Sequence, residues 1–243
     1  MQLSALIRRQ IKAARARGAL WVRLVDIARF LPHGEGRARL WTQFTHPSEI
    51  HQTSPDTEEE RYPDLFDFAA SICRAPRRIL SFGCSTGEEL VSLRRRFPNA
   101  EIVGAEINPR SRRLADRRMA RDPRTWVVSP EGVRGAFDLI FGLAVFQREP
   151  HKIAEMDVAD LTPFYPFDRF DKGIGELVDR LIPGGILCIV HAHYRVEDSL
   201  ASPRLEPIAE APGREGLWFG PDGKRVTGAT AATMFRKRGQ ASD

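Results

Sequence analysis

Two glycines and a downstream acid are the residues of this chain whose types and spacing indicate a binding chemistry. Gly83 and Gly87 follow the short apolar run Ile79–Phe82, and Glu106 closes a second apolar run 23 residues after Gly83. Glycines after a buried strand let the backbone turn sharply and let a ligand approach it closely. A carboxylate at the end of the next strand can accept hydrogen bonds from ribose hydroxyls. The pattern therefore predicts a strand–turn–helix–strand unit that binds a nucleoside.

The residues beside these glycines argue against a phosphorylated ligand. Glu88 and Glu89 occupy the start of the helix after the turn, where a dinucleotide would place its pyrophosphate. Two carboxylates repel phosphate there, and the glycine spacing is G-x-x-x-G rather than the G-x-G-x-x-G of dinucleotide sites. A cationic nucleoside without phosphate suits the turn better, and S-adenosylmethionine is such a molecule.

Residues 75–195 resemble the Rossmann-like (class I) S-adenosylmethionine-dependent methyltransferases. The loop Gly83–Glu89 is similar to that of the chemotaxis-receptor methyltransferases, and Leu181–Gly185, which reads Leu-Ile-Pro-Gly-Gly, is a second family-like feature. The resemblance implies an enzyme that transfers the methyl group of S-adenosylmethionine. The segment Phe141–Pro150 departs from the Arg-Asn motif of the receptor enzymes and from the Asn/Asp-Pro-Pro-Tyr/Phe motif of amino-methylating enzymes.

Apolar runs alternate regularly with amphipathic segments, which predicts an α/β fold. We expect a doubly wound, mostly parallel sheet with a C-terminal antiparallel hairpin around Pro221-Asp-Gly223 and an N-terminal helical extension. Residues 1–63 are predicted to form N-terminal helices and a lid loop, and residues 64–243 the methyltransferase domain. The predicted strands are 79–82, 102–105, 126–128, 137–141 and 186–190, the helices are 65–72, 88–97, 109–121 and 167–181, and the hairpin segments are 217–219 and 233–235.

Ligands of parallel sheets bind at the carboxyl ends of the strands, so the residues after each strand are the candidates for cofactor contacts. The resemblance implies that the glycine loop holds the methionine part of the cofactor and that Glu106 binds the ribose. It also suggests Ile107 as a packing surface for adenine, Glu131 as a partner of the adenine amino group, and a pocket wall after the fourth strand. The predicted cofactor-binding residues are Gly83, Cys84, Ser85, Gly87, Glu106, Ile107, Glu131, Gly142 and Leu143.

An acceptor that holds its proton tightly would need a general base at the same edge of the sheet. Glu149 and His151 lie beyond the fourth strand, and His191, His193 and Tyr194 lie beyond the fifth. We take His151, His193 and Glu149 as the candidate catalytic residues. A hydrogen-bonded structural role is the alternative for each histidine. No third metal ligand stands at a telling spacing, so no metal is expected.

The acceptor itself is not specified by any motif. A small molecule methylated on oxygen or nitrogen is the favoured reading, and the aromatic segment Leu161–Phe167 could cup it or could instead pack beneath a helix. The alternatives are a methyltransferase that acts on RNA or protein and a non-catalytic S-adenosylmethionine-binding protein. Nucleic acid is not favoured, because the arginines of helices 88–97 and 109–121 lie away from the acceptor edge.

Composition fits an ordinary globular chain. Of 243 residues, 42% are hydrophobic and 28% are charged, and no apolar run reaches the length of a membrane span. Residues 1–31 hold seven bases and one acid, a charge of +6, so the rest of the chain sums to −1 and the whole chain to +5. The basic segment predicts two amphipathic helices, with a basic arm or a mitochondrial transit peptide as alternatives. Three cysteines cannot all pair, which favours reduced thiols and a cytoplasmic location.

Overall fold

The structure is a computed structural model, and it describes residues 38, 42, 51–52, 58–209, 211–213 and 216–239. The chain divides into two compact units, residues 1–47 and residues 48–243. The helices predicted within residues 1–31 and much of the predicted lid loop lie outside the described residues. The predicted boundary between residues 63 and 64 stays a prediction.

The described chain alternates strands and helices, as the sequence predicts. In order the elements are α1 (Pro63–Ile72), β1 (Arg78–Phe82), α2 (Glu88–Arg96), β2 (Glu101–Ala105), α3 (Pro109–Met119), β3 (Thr125–Val128), β4 (Phe137–Leu143), α4 (Pro150–Glu155), α5 (Phe167–Arg180), β5 (Leu181–Val190), β6 (Leu205–Pro207), β7 (Trp218–Phe219), β8 (Arg225–Val226) and β9 (Met234–Lys237).

Seven of the strands form one sheet in the order β3-β2-β1-β4-β5-β9-β6. The five strands from β3 to β5 are parallel, and β9 runs antiparallel to both of its neighbours. This confirms the predicted doubly wound, mostly parallel fold. The strand order reverses between β1 and β4, and ligands of such sheets bind outside the carboxyl ends at that point.

Both faces of the sheet are covered by helices. Adjacent residues of β1 show this, because Ile79 packs in the core on one face and Leu80 in the core on the other. The first core includes Leu65 of α1 and Leu90 of α2, and the second includes Phe170 of α5. The two layers hold the carboxyl ends of the strands in fixed positions.

The predicted C-terminal hairpin is present, although one of its predicted segments belongs elsewhere. Trp218 pairs with Val226 across a turn in which Gly223 has a φ of +76°. The segment predicted as 233–235 instead begins β9 in the large sheet. Met234 and Phe235 point into opposite cores, and a two-stranded hairpin cannot bury both faces of a strand.

The arginines at the end of α2 hold the fold together. Arg94, whose side chain is 19% exposed, pairs with Asp122 at 2.6 Å. Its guanidinium also donates to Thr125 Oγ1 and to the backbone carbonyls of Phe97, Pro98, Ala100 and Arg124. Arg95 and Arg96 pair with Glu59, Glu60 and Asp67. The pairing of these arginines within the domain agrees with the expectation that the acceptor is not a nucleic acid.

We expect Arg94→Lys to lower the free energy of unfolding by about 2–3 kcal/mol, because lysine cannot reproduce the planar fork that joins the end of α2 to β3. Urea unfolding followed by circular dichroism measures the change. The matched control is Arg113→Lys on the exposed face of α3, which should change stability by less than about 0.5 kcal/mol. Equal effects of the two variants would contradict the role given to Arg94.

Across the described ranges, no helix combines the length and the apolar character needed to cross a membrane.

Candidate cofactor and acceptor site

The turn after β1 requires glycine for two reasons. Gly83 and Gly87 have φ values of +79° and +93°, a region that side chains with a Cβ rarely adopt. A Cβ on Gly83 would also lie 2.4 Å from Val145 Cγ2 in the segment after β4. The amides of Gly83 and Cys84 both donate to the carbonyl of Ala105, at 2.8 and 3.1 Å. The turn is therefore fixed to the carboxyl end of β2, where the predicted acid stands.

Glu106 joins the glycine turn to the start of α3. Its Oε2 accepts a hydrogen bond from the Ser85 amide at 2.9 Å, and its Oε1 accepts one from the Asn108 amide at 2.7 Å. The side chain is 8% exposed, and burial raises the pKa of its carboxyl while these amides act in the opposite direction. The amide of Ile107 also acts on this carboxyl as a hydrogen-bond donor. A carboxylate has about four acceptor positions, so these three amides leave about one for a ribose hydroxyl.

Asn108 supports this arrangement from the other side. Its side chain accepts hydrogen bonds from the amides of Arg110 and Ser111, which caps α3 as predicted. Because the same residue donates its own amide to Glu106, the start of α3 and the carboxylate are held in one unit.

Glu89 is a site residue that sequence reasoning treated only as a barrier to phosphate. Its Oε1 is buried and accepts no hydrogen bond from the described residues, and the Oγ of Ser81 on β1 is buried in the same condition. Burial raises the pKa of Glu89 to about 7, against the opposing effects of the Ser81 hydroxyl and the Arg61 charge. The Ser81 hydroxyl and the Arg61 charge offset the cost of burying this carboxyl only in part, and a cationic ligand would stabilise its charged form further. The signal in the sequence was two polar residues at core positions of β1 and α2.

The other residues predicted to contact the cofactor in the loop and near the adenine differ in how deeply they are buried. Cys84 is 1% exposed, and burial raises the pKa of its thiol well above the ordinary value, so only its backbone faces the turn. Ile107 is half-buried after β2, and Glu131 is exposed in a single 3₁₀ turn after β3. Their cofactor contacts stay predictions.

Gly142 and Leu143 are the last two residues of β4, whereas the sequence placed them after that strand. A Cβ on Gly142 would lie 2.8 Å from Ile189 Cδ1 and 3.1 Å from the ring of Phe146. Close packing between β4 and β5 therefore accounts for this glycine. A pocket-lining role for either residue stays a prediction.

The predicted bases lie at the same edge as the glycine turn but differ in environment. His151 is exposed in the first turn of α4. Glu149 is the residue before that helix, and its Oε2 forms an ion pair with Lys152 Nζ at 3.2 Å rather than a capping hydrogen bond. His193 is 3% exposed, and its Nε2 lies 3.2 Å from the carbonyl of Arg148. Burial lowers the pKa of His193. This environment agrees with the structural alternative for His193, while the catalytic roles of all three residues stay predictions.

A buried histidine that sequence reasoning missed lies below this edge. His51 Nδ1 is 2.5 Å from the hydroxyl of Tyr165, and the ring packs against Phe146 with centroids 4.7 Å apart and against Phe82 at 6.3 Å. Burial lowers the pKa of His51 to about 3, so the ring is neutral. Phe82 is the last residue of β1, which places the cluster beside the glycine turn. Tyr165 is buried, so this part of the segment 161–167 packs inside the domain.

These features fit a nucleoside that carries a cationic group. Glu106 presents a buried carboxyl held by backbone amides, the glycines let the turn adopt positive φ values close to Val145 and Ala115, and Glu89 presents a buried carboxyl with a raised pKa. All three lie at or beside the carboxyl ends of β1 and β2, next to the point where the strand order reverses. The fold and the site together define a Rossmann-like nucleoside-binding domain.

Comparison with known proteins agrees with this class. Residues 56–161 match the family model described as a methyltransferase domain. Trans-aconitate 2-methyltransferase of Methylobacterium radiotolerans is 30% identical over 168 residues, which cover 66% of this chain and 54% of that protein. Demethylmenaquinone methyltransferase of Deinococcus radiodurans is 25% identical over 190 residues, 71% of this chain and 73% of that protein. This chain therefore carries a methyltransferase domain of the Rossmann-like, S-adenosylmethionine-dependent class.

Two further comparisons show how much of this chain and of each similar protein is covered. The N-methyltransferase NodS of Bradyrhizobium japonicum is similar in structure, with a TM-score of 0.46, 16% identity, and coverage of 74% of this chain and 99% of that one. A demethylmenaquinone methyltransferase of Thermus thermophilus is 28% identical over 126 residues, 48% of each protein. The chain thus spans about half the length of the first two curated relatives it matches.

Within the described part of the chain, no group of three or more histidine, cysteine, aspartate or glutamate side chains could hold a metal ion. The expectation that the protein binds no metal stays a prediction.

Proposed function

We propose that this protein transfers the methyl group of S-adenosylmethionine to an oxygen or nitrogen atom of a small-molecule acceptor. The observation that carries the proposal is the buried Glu106 carboxylate, which is bonded to the glycine turn beside the switch point of the sheet and has an acceptor position left for a ribose hydroxyl. The match of residues 56–161 to a methyltransferase domain supports the same conclusion.

Three groups of this chain would hold the cofactor. Glu106 accepts hydrogen bonds from the ribose, the backbone of the turn from Gly83 to Gly87 lies along the methionine part, and Glu89 pairs with the ammonium group. When bound, S-adenosylmethionine supplies a methyl group already activated by a positive sulfur. The protein then has mainly to align the acceptor and to exclude water.

The acceptor edge is formed by the segments after β4 and β5. His151 and Glu149 are our candidate bases there, because they follow β4 directly and His151 is exposed. We propose that His193 acts at the same edge, by holding the carbonyl of Arg148 in place. Phe82 and Phe146, stacked with centroids 5.9 Å apart, make an apolar wall that would keep water out.

A small acceptor is supported by the internal pairing of the α2 arginines and by the names of the curated relatives. Those relatives are named for trans-aconitate and for demethylmenaquinone, neither of which is a macromolecule. A cytoplasmic location, expected from the cysteines, remains a prediction.

The test is to incubate the protein with methyl-labelled S-adenosylmethionine and a host extract, then to separate small metabolites, RNA and protein. Label should enter the small-molecule fraction. Label confined to RNA or protein would contradict the choice of acceptor, and cofactor binding without any transfer would indicate a binding protein.

Once an acceptor is known, His151→Ala should slow turnover by about 10²-fold or more, as expected for loss of a general base, and leave cofactor affinity unchanged. The matched control is Glu155→Ala at the other end of α4, also exposed, which should leave turnover unchanged. If both variants turn over like the parent protein, His151 is not the base.

A further inference from the structure

A second cleft lies at the opposite edge of the sheet from the glycine turn. It is an open depression of about 650 Å³ at the amino ends of the parallel strands, and its lining includes Arg77, Glu101, Arg124, Trp126 and Asp138. The strand β1 runs from this cleft to the glycine turn, so the two sites are separated by roughly 13 Å of extended chain. Neither the predicted methyl acceptor nor the cofactor accounts for this cleft.

Trp126 presents a flat apolar surface to the cleft. It is 47% exposed and lies on β3, the edge strand of the sheet. Trp126 is in register with Val103 of β2, so both side chains lie on the same face, but only Val103 is buried. An indole left open at such a place is a platform on which a planar ring can stack.

The cations of the cleft fall into two groups. Arg78 is committed to the fold, since it pairs with Glu101 at 3.1 Å and its guanidinium lies 4.7 Å from the centre of the Phe137 ring. Arg77 and Arg124 are exposed, and no carboxylate among the described residues forms an ion pair with either of them. Arg124 Nη1 donates to the carbonyl of Asn99 at 2.9 Å, which holds that guanidinium at the wall of the cleft.

The acids of the cleft are already engaged. Glu101 is paired with Arg78, and Asp138 Oδ2 accepts hydrogen bonds from the backbone amides of Arg77 and Arg78 at 3.1 and 2.8 Å. Three arginines against two acids leave a net charge of +1 in the lining. The cleft therefore combines a stacking surface with two cations that are available to an anion.

We propose that this cleft binds a nucleotide unit, with the base stacked on Trp126 and the phosphate on Arg77 and Arg124. A free nucleotide and a nucleotide within single-stranded RNA share this chemistry. The site would be separate from the methyltransferase site and would use none of its residues.

Equilibrium binding tests the proposal with three probes: uridine monophosphate, a six-residue oligouridylate and inorganic phosphate. Each is titrated into the full chain with S-adenosylhomocysteine at saturating concentration, so that the cofactor site is filled. We expect one of the two uridine probes to bind saturably. Tighter binding of the oligonucleotide indicates RNA as the source, and equal binding of the monophosphate indicates a free nucleotide.

Three variants make the test specific. Trp126→Ala and Arg124→Ala should each weaken binding of the uridine probe about tenfold or more, while Trp126→Phe should retain most of it. Arg113→Ala on α3, which removes an exposed arginine elsewhere, should have no effect. Circular dichroism confirms that each variant folds.

The proposal is overturned if neither uridine probe binds saturably at millimolar concentration. It is also overturned if phosphate alone binds as well as the nucleotide and Trp126→Ala has no effect, because no base is then recognised. Uridine binding that appears only when S-adenosylhomocysteine is left out would place the ligand in the cofactor pocket and would overturn it as well.

Discussion

Replacing Glu106 with Gln should weaken the binding of S-adenosylhomocysteine roughly 10- to 100-fold, the effect of losing a charged hydrogen-bond acceptor. The carboxylate accepts the amides of Ser85 and Asn108 on its two oxygens. An amide in its place sets an NH₂ donor against one of these backbone donors, and it removes the charge that would bind the ribose hydroxyls. Isothermal titration calorimetry measures the change.

The control for this prediction lies on the same strand. Glu101→Gln alters an exposed acid at the opposite end of β2, where it pairs with Arg78, and it should leave cofactor affinity unchanged. Unchanged affinity in Glu106→Gln, or an equal loss in both variants, would show that the ribose is bound elsewhere.

Binding of S-adenosylhomocysteine should also strengthen as the pH rises through neutrality. Burial raises the pKa of Glu89 to about 7, so below that pH the carboxyl is neutral and cannot pair with the ligand's ammonium group. At pH 6 the affinity should be about tenfold lower than at pH 8, since one pH unit below the pKa leaves about a tenth of the group ionised. Glu89→Gln should bind weakly and remove this dependence.

The groups around Glu89 do not obscure this effect. Ser81, which acts on the same carboxyl, does not titrate. Cys84, which lies close enough to feel the charge of Glu89, has a raised pKa and stays protonated. 5′-Methylthioadenosine, which has the nucleoside but no ammonium group, is the control ligand. Its affinity should rise less through neutrality than that of S-adenosylhomocysteine, because Glu106, whose pKa burial also raises, contacts both ligands and Glu89 only one. An equal rise for both ligands would remove Glu89 from the site.

The buried carboxyl of Glu89 should lower the free energy of unfolding of the ligand-free protein. Its pKa is raised from 4.5 to about 7, so the folded state binds the extra proton and stability falls as the pH rises through that interval. Above pH 7 the cost approaches about 3 kcal/mol as an upper limit. Urea unfolding at pH 8 should therefore find Glu89→Gln more stable than the parent protein, although it binds the cofactor less well.

The elements of the sheet could be predicted because local signals mark them. The glycines after β1 and the pair Asn108-Pro109 before α3 set their boundaries within one or two residues. The six-residue helix α4 escaped prediction because it is too short to show an amphipathic pattern. The segment beginning at Met234 was placed with the hairpin because a nearby turn is a local signal, whereas burial on both faces of a sheet is a tertiary one.

The site could be predicted only where its residues are close in sequence. Glu106 could be proposed because the strand–turn–helix–strand unit fixes its distance from Gly83, and its role as a ribose ligand stays a prediction. The pair of His51 and Tyr165 is separated by 114 residues, and no spacing rule joins them. The burial of Glu89 and its raised pKa depend on how α2 packs against β1. The sequence pattern of the helix alone does not show that packing.

The most direct test of the central claim is a crystal structure of the protein with S-adenosylhomocysteine. The ribose hydroxyls should lie within hydrogen-bond distance of the Glu106 carboxylate, with the ammonium group at Glu89 and the methionine part along the turn from Gly83 to Gly87. A ligand bound away from these residues, or no ligand at saturating concentration, would contradict the assignment of this site and the function proposed from it.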